Sequence, residues 1–122
     1  MSIYYTESHE WVGEDGRVGV TLHAQKELGN IVYVDLPKVG QFVRKGEEIC
    51  VLESTKAAAD VYSPVSGTVI SVNETARKDP GIINRAAEGI GWLFQLVLSN
   101  PSEQDTLLSE HEYQKIICSH TE

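Results

Sequence analysis

Apolar and polar residues along this chain arrange themselves mostly with the short period of β-strands. The runs Val18-Gly19-Val20-Thr21, Ile31-Val32-Tyr33-Val34, Ile49-Cys50-Val51-Leu52 and Thr68-Val69-Ile70-Ser71-Val72 are rich in β-branched residues, which suit a pleated, half-buried backbone. Turn signals separate them at Glu14-Asp15-Gly16, Lys38-Val39-Gly40, Arg44-Lys45-Gly46 and Ser66-Gly67. Many short strands at close spacing predict a small antiparallel sandwich or barrel rather than a parallel α/β sheet. Gly40 and Gly46 bracket Gln41-Phe42-Val43-Arg44-Lys45, a segment expected to connect one sheet to another.

Two stretches read as helical. His23-Ala24-Gln25-Lys26-Glu27-Leu28 ends at Gly29, which supplies a left-handed C-cap. Towards the C-terminus, Ser102 and Ser109 are both good N-caps, and Ser109-Glu110-His111-Glu112 is a capping box in which serine and glutamate satisfy each other's backbone N–H. Tyr113, Ile116 and Ile117 then share one helical face, expected to pack on the β core. Residues 1–122 are expected to form one domain, with a core over about 17–98 and a helical segment over about 101–118. A chain of 122 residues supports one modest core and not two.

Charge narrows the function. With 18 acidic against 10 basic residues the net charge is −8. Nucleic acid and anionic membranes need a cationic face, so neither is an expected partner. No apolar run approaches the roughly 20 residues that cross a bilayer. Met1-Ser2-Ile3-Tyr4-Tyr5-Thr6 has neither a basic nor an apolar leader region, and a cytoplasmic protein is expected. Cys50 and Cys118 form no Cys-x-x-Cys pair and are expected as reduced thiols, Cys50 as a small buried hydrophobe. His9, His23, His111 and His120 show no metal-ligand spacing, so no metal is expected, and no catalytic triad can be assigned. Asn73-Glu74-Thr75 matches a glycosylation triplet that has no meaning without secretion. Trp11 and Trp92 are expected in the core.

The conspicuous chemistry lies at Lys56. A polar Glu53-Ser54-Thr55-Lys56 step interrupts two strand-like runs, which predicts a hairpin with the lysine at its tip. Most lysines so placed are solvated charges. The surroundings of this one, Glu53-Ser54-Thr55-Lys56-Ala57 with Asp60 and Ser63-Pro64-Val65-Ser66-Gly67, resemble the lipoylation site of the glycine cleavage system H proteins. Similar to that family too are Ser8-His9-Glu10-Trp11-Val12, Ala24-Gln25, Leu28-Gly29, Val32-Tyr33-Val34-Asp35-Leu36-Pro37 through Val39-Gly40, and Gly91-Trp92-Leu93. The resemblance spans roughly positions 3 to 117.

It implies a flattened barrel of two antiparallel sheets, of the lipoyl-domain type, with a short internal helix and C-terminal helices. It also implies a carrier and not an enzyme. Lys56 would bear a covalent lipoyl arm that takes an aminomethyl group from glycine decarboxylase to aminomethyltransferase and is reoxidised by dihydrolipoyl dehydrogenase. A lipoate ligase or an octanoyl or lipoyl transferase would attach the arm, and a swinging arm favours a monomer. Ser8, Glu10 and Asp60 match the family's cleft for the loaded arm, where acidic groups hold the cationic amine; the alternative for Glu10 and Asp60 is plain solvated charge. His9 would order the Ser-His-Glu-Trp loop.

Some positions depart from the family pattern. Leu22 stands where an aspartate is usual, Arg85-Ala86-Ala87-Glu88-Gly89-Ile90 lacks the usual Pro-Tyr and places Ile90 where a polar residue is expected, and Thr55 is a milder change. None touches Lys56, but loops commonly carry partner contacts. Three other readings stay open here: a lipoyl or octanoyl relay outside a complete glycine cleavage system, a module that is never acylated, and a biotinyl carrier. The last is disfavoured by Thr55 and Ala57, since biotin attachment favours methionine on both sides of the lysine.

Overall fold

The structure, a computed structural model, describes residues 3–119, with side chains through Ile117. The expectations for the Cys118 thiol and for His120 lie outside the described residues. Among the described residues nine strands form two sheets. In chain order they are β1 (Ile3–Tyr5), β2 (Glu10–Gly13), β3 (Arg17–Val20), β4 (Ile31–Asp35), β5 (Phe42–Val43), β6 (Glu48–Ser54), β7 (Ala58–Tyr62), β8 (Gly67–Val72) and β9 (Phe94–Leu98). One sheet has the order β1-β2-β3-β9-β8-β5 and the other β4-β6-β7. Every pairing is antiparallel. The expected mainly β fold of two antiparallel sheets is what the chain adopts.

Between the sheets lie Val12, Val18, Val34, Val43, Leu52, Val61, Val69 and Phe94, all essentially inaccessible. Cys50 is buried with them, and that burial pushes its thiol up to about 12. In β4 the inward residues Ile31 and Val34 are three apart, not two. A bulge between Ile31 and Tyr33 inserts the extra residue and leaves Val32 and Tyr33 facing out, as a local break in strand alternation requires.

Helix α1 (Leu22–Leu28) begins one residue before the expected start. Thr21 leaves the strand to cap it, accepting the Ala24 N–H, and Gly29 closes it at φ 83°. Helices α2 (Glu74–Lys78) and α3 (Gly81–Ala86) were not expected from the sequence. A 3-10 helix covers Pro101–Thr106. Ser102 is not its N-cap: Pro101 already opens the helix, and the Ser102 hydroxyl turns back to Asn100 Oδ1 at 2.6 Å. The Ser109 capping box is present at the start of α4 (Glu110–Ser119), with Ser109 N–H donating to Glu112 Oε1 at 2.9 Å and Glu112 N–H to Ser109 Oγ at 3.2 Å.

Helix α4 docks through the expected face. Tyr113 is buried, stacked on Tyr5 with centroids 4.7 Å apart, and Ile117 packs beside it. Trp11 completes this second cluster and donates its indole N–H to the Ala87 carbonyl at 3.1 Å. Trp92 is only half-buried, with the Arg17 guanidinium 4.9 Å from its ring centroid. Asn73 is buried, and its amide donates to the Ile90 and Trp92 carbonyls. Its side chain is therefore committed inside the fold.

Candidate functional site

Lys56 occupies the connection between β6 and β7. Ser54 N–H donates to Ala57 O at 2.8 Å and closes the turn. The Ser54 hydroxyl accepts the Lys56 and Ala57 N–H groups at 3.1 Å each and so satisfies the donors at the tip. Thr55 N–H reaches Asn30 O at 3.1 Å, tying the tip to the loop after α1. Lys56 is exposed, and its ammonium donates to Glu27 O, 3.1 Å away in the last turn of α1. Unpaired carbonyls and the helix dipole favour a cation there. Gly29 leaves room for the lysine stem: a Cβ at that position would stand 3.2 Å from Lys56 Cε.

A cleft of about 230 Å³ runs beside this helix, and Ser8, Glu10, Asp60, His9, Glu27 and Leu28 are among the residues lining it. The fold thus brings Ser8, Glu10 and Asp60 to one cavity, although they come from the β1–β2 loop, from β2 and from β7. Glu10 is 2% exposed. Its Oε1 accepts the Ser8 hydroxyl at 2.5 Å and the Thr6 hydroxyl at 2.6 Å, while Oε2 accepts the Tyr62 N–H at 3.3 Å. Burial raises its pKa above the ordinary carboxylate value, and the hydroxyl bonds from Ser8 and Thr6 pull the other way. Among the described residues no lysine or arginine forms an ion pair with it. A cation entering the cleft would meet a carboxylate so far held by neutral donors alone.

Sequence reasoning missed two contributors, Thr6 and Glu27. Thr6 both binds the Glu10 carboxylate and accepts the Glu10 N–H at 3.0 Å; a threonine four residues before a buried acid, in a loop rich in hydroxyls, was the available sign. Glu27 supplies the carbonyl for Lys56, which no side-chain pattern encodes. His9 has φ 73°, and its Nδ1 lies 2.7 Å from Tyr113 Oη. The expectation that His9 orders its loop agrees with this tether to α4.

Residues 3–120 match the family described as Glycine cleavage H-protein. A glycine cleavage system H protein from Thermotoga maritima is 50% identical over 114 residues, covering 91% of this chain and 92% of its own. One from Xanthobacter autotrophicus is 47% identical over 119 residues, 95% of each chain. The crystal structure of a glycine cleavage system H protein from Mycobacterium marinum superposes with a TM-score of 0.85 at 36% identity, covering 93% of this chain and 94% of that one. The chain belongs to the glycine cleavage H-protein family. Members of the H-protein family are lipoyl carriers of the glycine cleavage system and not enzymes, and the family's role implies dealings with the decarboxylase, the aminomethyltransferase and the dihydrolipoyl dehydrogenase of that system.

Of the departures from the H-protein pattern, Leu22 lies against the 85–90 loop, whereas Thr55 is on the β6–β7 hairpin. Leu22 N–H donates to Glu88 Oε2 at 2.7 Å, and Leu22 and Ile90 are both exposed. An aspartate side chain at position 22 would put a second carboxylate beside Glu88, so the apolar residue suits this loop.

Proposed function

We propose that Lys56 is the lipoyl attachment site of a single-domain, monomeric carrier acting in the cytoplasm, and that Ser8, Glu10 and Asp60 shelter the loaded arm. The observation that carries this reading is an exposed amine on a braced hairpin tip, its stem lying against the same helix that borders a cleft with a buried carboxylate. Lipoate, when bound, would supply a cyclic disulfide that is reduced as it accepts an aminomethyl group from glycine decarboxylase, and that is left as a dithiol for dihydrolipoyl dehydrogenase to reoxidise once aminomethyltransferase has taken the group. The chain's own residues do the presenting. Ser54 holds the backbone of the tip, so a modifying enzyme meets one defined shape. Acylation turns the Lys56 ammonium into an amide whose single N–H can keep the Glu27 carbonyl as its acceptor. Glu10 and Asp60 offer negative charge to a cationic amine, while Ser8 and Thr6 keep the Glu10 carboxylate oriented.

A lipoate ligase or an octanoyl or lipoyl transferase is the proposed modifying partner. Intact mass after expression with lipoate tests attachment: one lipoyl increment is expected, absent in Lys56→Ala. An increment that survives Lys56→Ala, or none under any condition, overturns the assignment. Reconstitution of the lipoylated chain with glycine decarboxylase tests the pathway. Modification without turnover there would favour the relay reading, to which the changes at Leu22 and Ala87–Ile90 give specific support.

A further inference from the structure

Beside the cleft sits a set of side chains that the carrier role does not use. His9, His23 and Glu27 each offer a ligand atom, and the three atoms lie within 4.8 Å of one another. His23 and Glu27 are one turn apart on α1, with Nε2 3.4 Å from Oε1. His9 arrives from the β1–β2 loop, its ring centroid 4.6 Å from that of His23. Two imidazoles and one carboxylate are a donor set that zinc takes with a fourth position left open. The geometry points to a divalent metal site of the zinc class formed by His9, His23 and Glu27.

Three further observations support it. The first is the surrounding hydrogen bonding. His9 Nδ1 lies 2.7 Å from Tyr113 Oη, which in turn lies 2.7 Å from Thr21 Oγ1. Were Nδ1–H donated to Tyr113 and the phenol proton to Thr21, the lone pair of His9 that a metal takes would be on Nε2. Metal-binding histidines are commonly oriented by such a bond on the opposite nitrogen. The second is backbone conformation: among the described residues His9 is the one non-glycine with positive φ, held by Thr21 N–H on its carbonyl at 3.0 Å and by its own N–H on Thr6 O at 3.1 Å. This unfavourable geometry aims the imidazole at α1. The third is charge, since a chain of net charge −8 draws cations. Tetrahedral zinc places its nitrogen and oxygen ligands about 3.3 Å apart, so the set must contract. Glu27, with a side chain 66% exposed, is free to rotate inward.

His9 and Glu27 also line the arm cleft, so the ion would sit at its rim. The site does not depend on Lys56 being modified. The test uses the untagged, full-length, unmodified chain. Zn²⁺ titrated in competition with a chromophoric chelator should bind at one equivalent per chain, and Co²⁺ should show the intense visible absorption of low-coordinate cobalt. His23→Gln, half-buried, and Glu27→Gln, exposed, should each weaken Zn²⁺ binding by about tenfold or more, with circular dichroism unchanged. His111→Gln, on the far part of the sequence, should bind as the parent does. Failure to bind one equivalent, an affinity unchanged in His23→Gln, or an equal loss in His111→Gln would each overturn the site.

Discussion

Glu10 concentrates the consequences of burial in one side chain. Its folded pKa stands above the unfolded value near 4.5 because desolvation outweighs the hydrogen bonds from Ser8 and Thr6. A carboxyl in that position binds its proton more tightly folded than unfolded. Its contribution to stability is therefore full below the unfolded value and is lost as pH rises through the raised folded value. Urea unfolding at a series of pH values should show the parent losing stability relative to Glu10→Gln from about pH 4.5 upward, then running parallel to it; a constant difference at all pH would contradict the assignment. The same desolvation makes the ionised Glu10 a strong partner for a cationic cargo. An ammonium about 4 Å away gains roughly 1 kcal/mol even in water. Glu10→Gln should then release ammonia from the loaded protein about fivefold faster. An unchanged rate would remove Glu10 from the sheltering role.

At the scale of elements, the β6–β7 hairpin and α4 each concentrate several bonds on one polar side chain. Ser54 Oγ takes the two N–H groups at the tip, so Ser54→Ala leaves them to solvent and loosens the turn. We expect lipoylation of Ser54→Ala to slow by several-fold in kcat/KM at near-parent stability, since each lost bond is worth only about 1 kcal/mol. Tyr113 is the other case: its hydroxyl joins His9 on the β1–β2 loop to Thr21 at the start of α1. Tyr113→Phe keeps the stacking on Tyr5 but removes the hydroxyl that His9 and Thr21 share, and should cost about 1–3 kcal/mol in denaturant unfolding. These elements also show what a sequence can reveal. The hairpin, α1 and the α4 capping box were legible because their signals are local: alternation, a closing glycine, a serine three residues before a glutamate. Helices α2 and α3, of five and six residues, were not. They are too short to display a helical period, and tertiary contacts hold them, such as Asn84 bonding both Ile31 N–H and Gly29 O at 2.8 Å. Lys56 and the cleft trio were named by resemblance. Spacing alone could not have joined Glu10 to Asp60, which lie in different sheets, nor His9 to His23 and Glu27, because the packing of sheet on sheet and of α1 on the β1–β2 loop brings them together.

For the whole molecule, the division of labour is between a rigid core that never reacts and a surface that must meet several enzymes briefly. Tight, area-driven docking would oppose such traffic, whereas long-range attraction raises encounter rates without prolonging the complex. The net charge of −8 suits this role, and the proposed acylation of Lys56 would remove one more positive charge. Encounter with basic docking surfaces on glycine decarboxylase should therefore weaken as salt shortens the reach of the field, from about 30 Å at 0.01 M to about 8 Å at 0.15 M. The expected result is a several-fold fall in kcat/KM for the lipoylated chain across that range, with kcat unchanged, because chemistry at the decarboxylase follows docking. The competing source of affinity is visible on β4, an edge of the three-stranded sheet, where Val32 and Tyr33 are each 52% exposed. Were kcat/KM independent of salt yet sensitive to Val32→Ser or Tyr33→Ser, apolar contact along that edge would govern recognition, and the acidity of the chain would serve solubility alone.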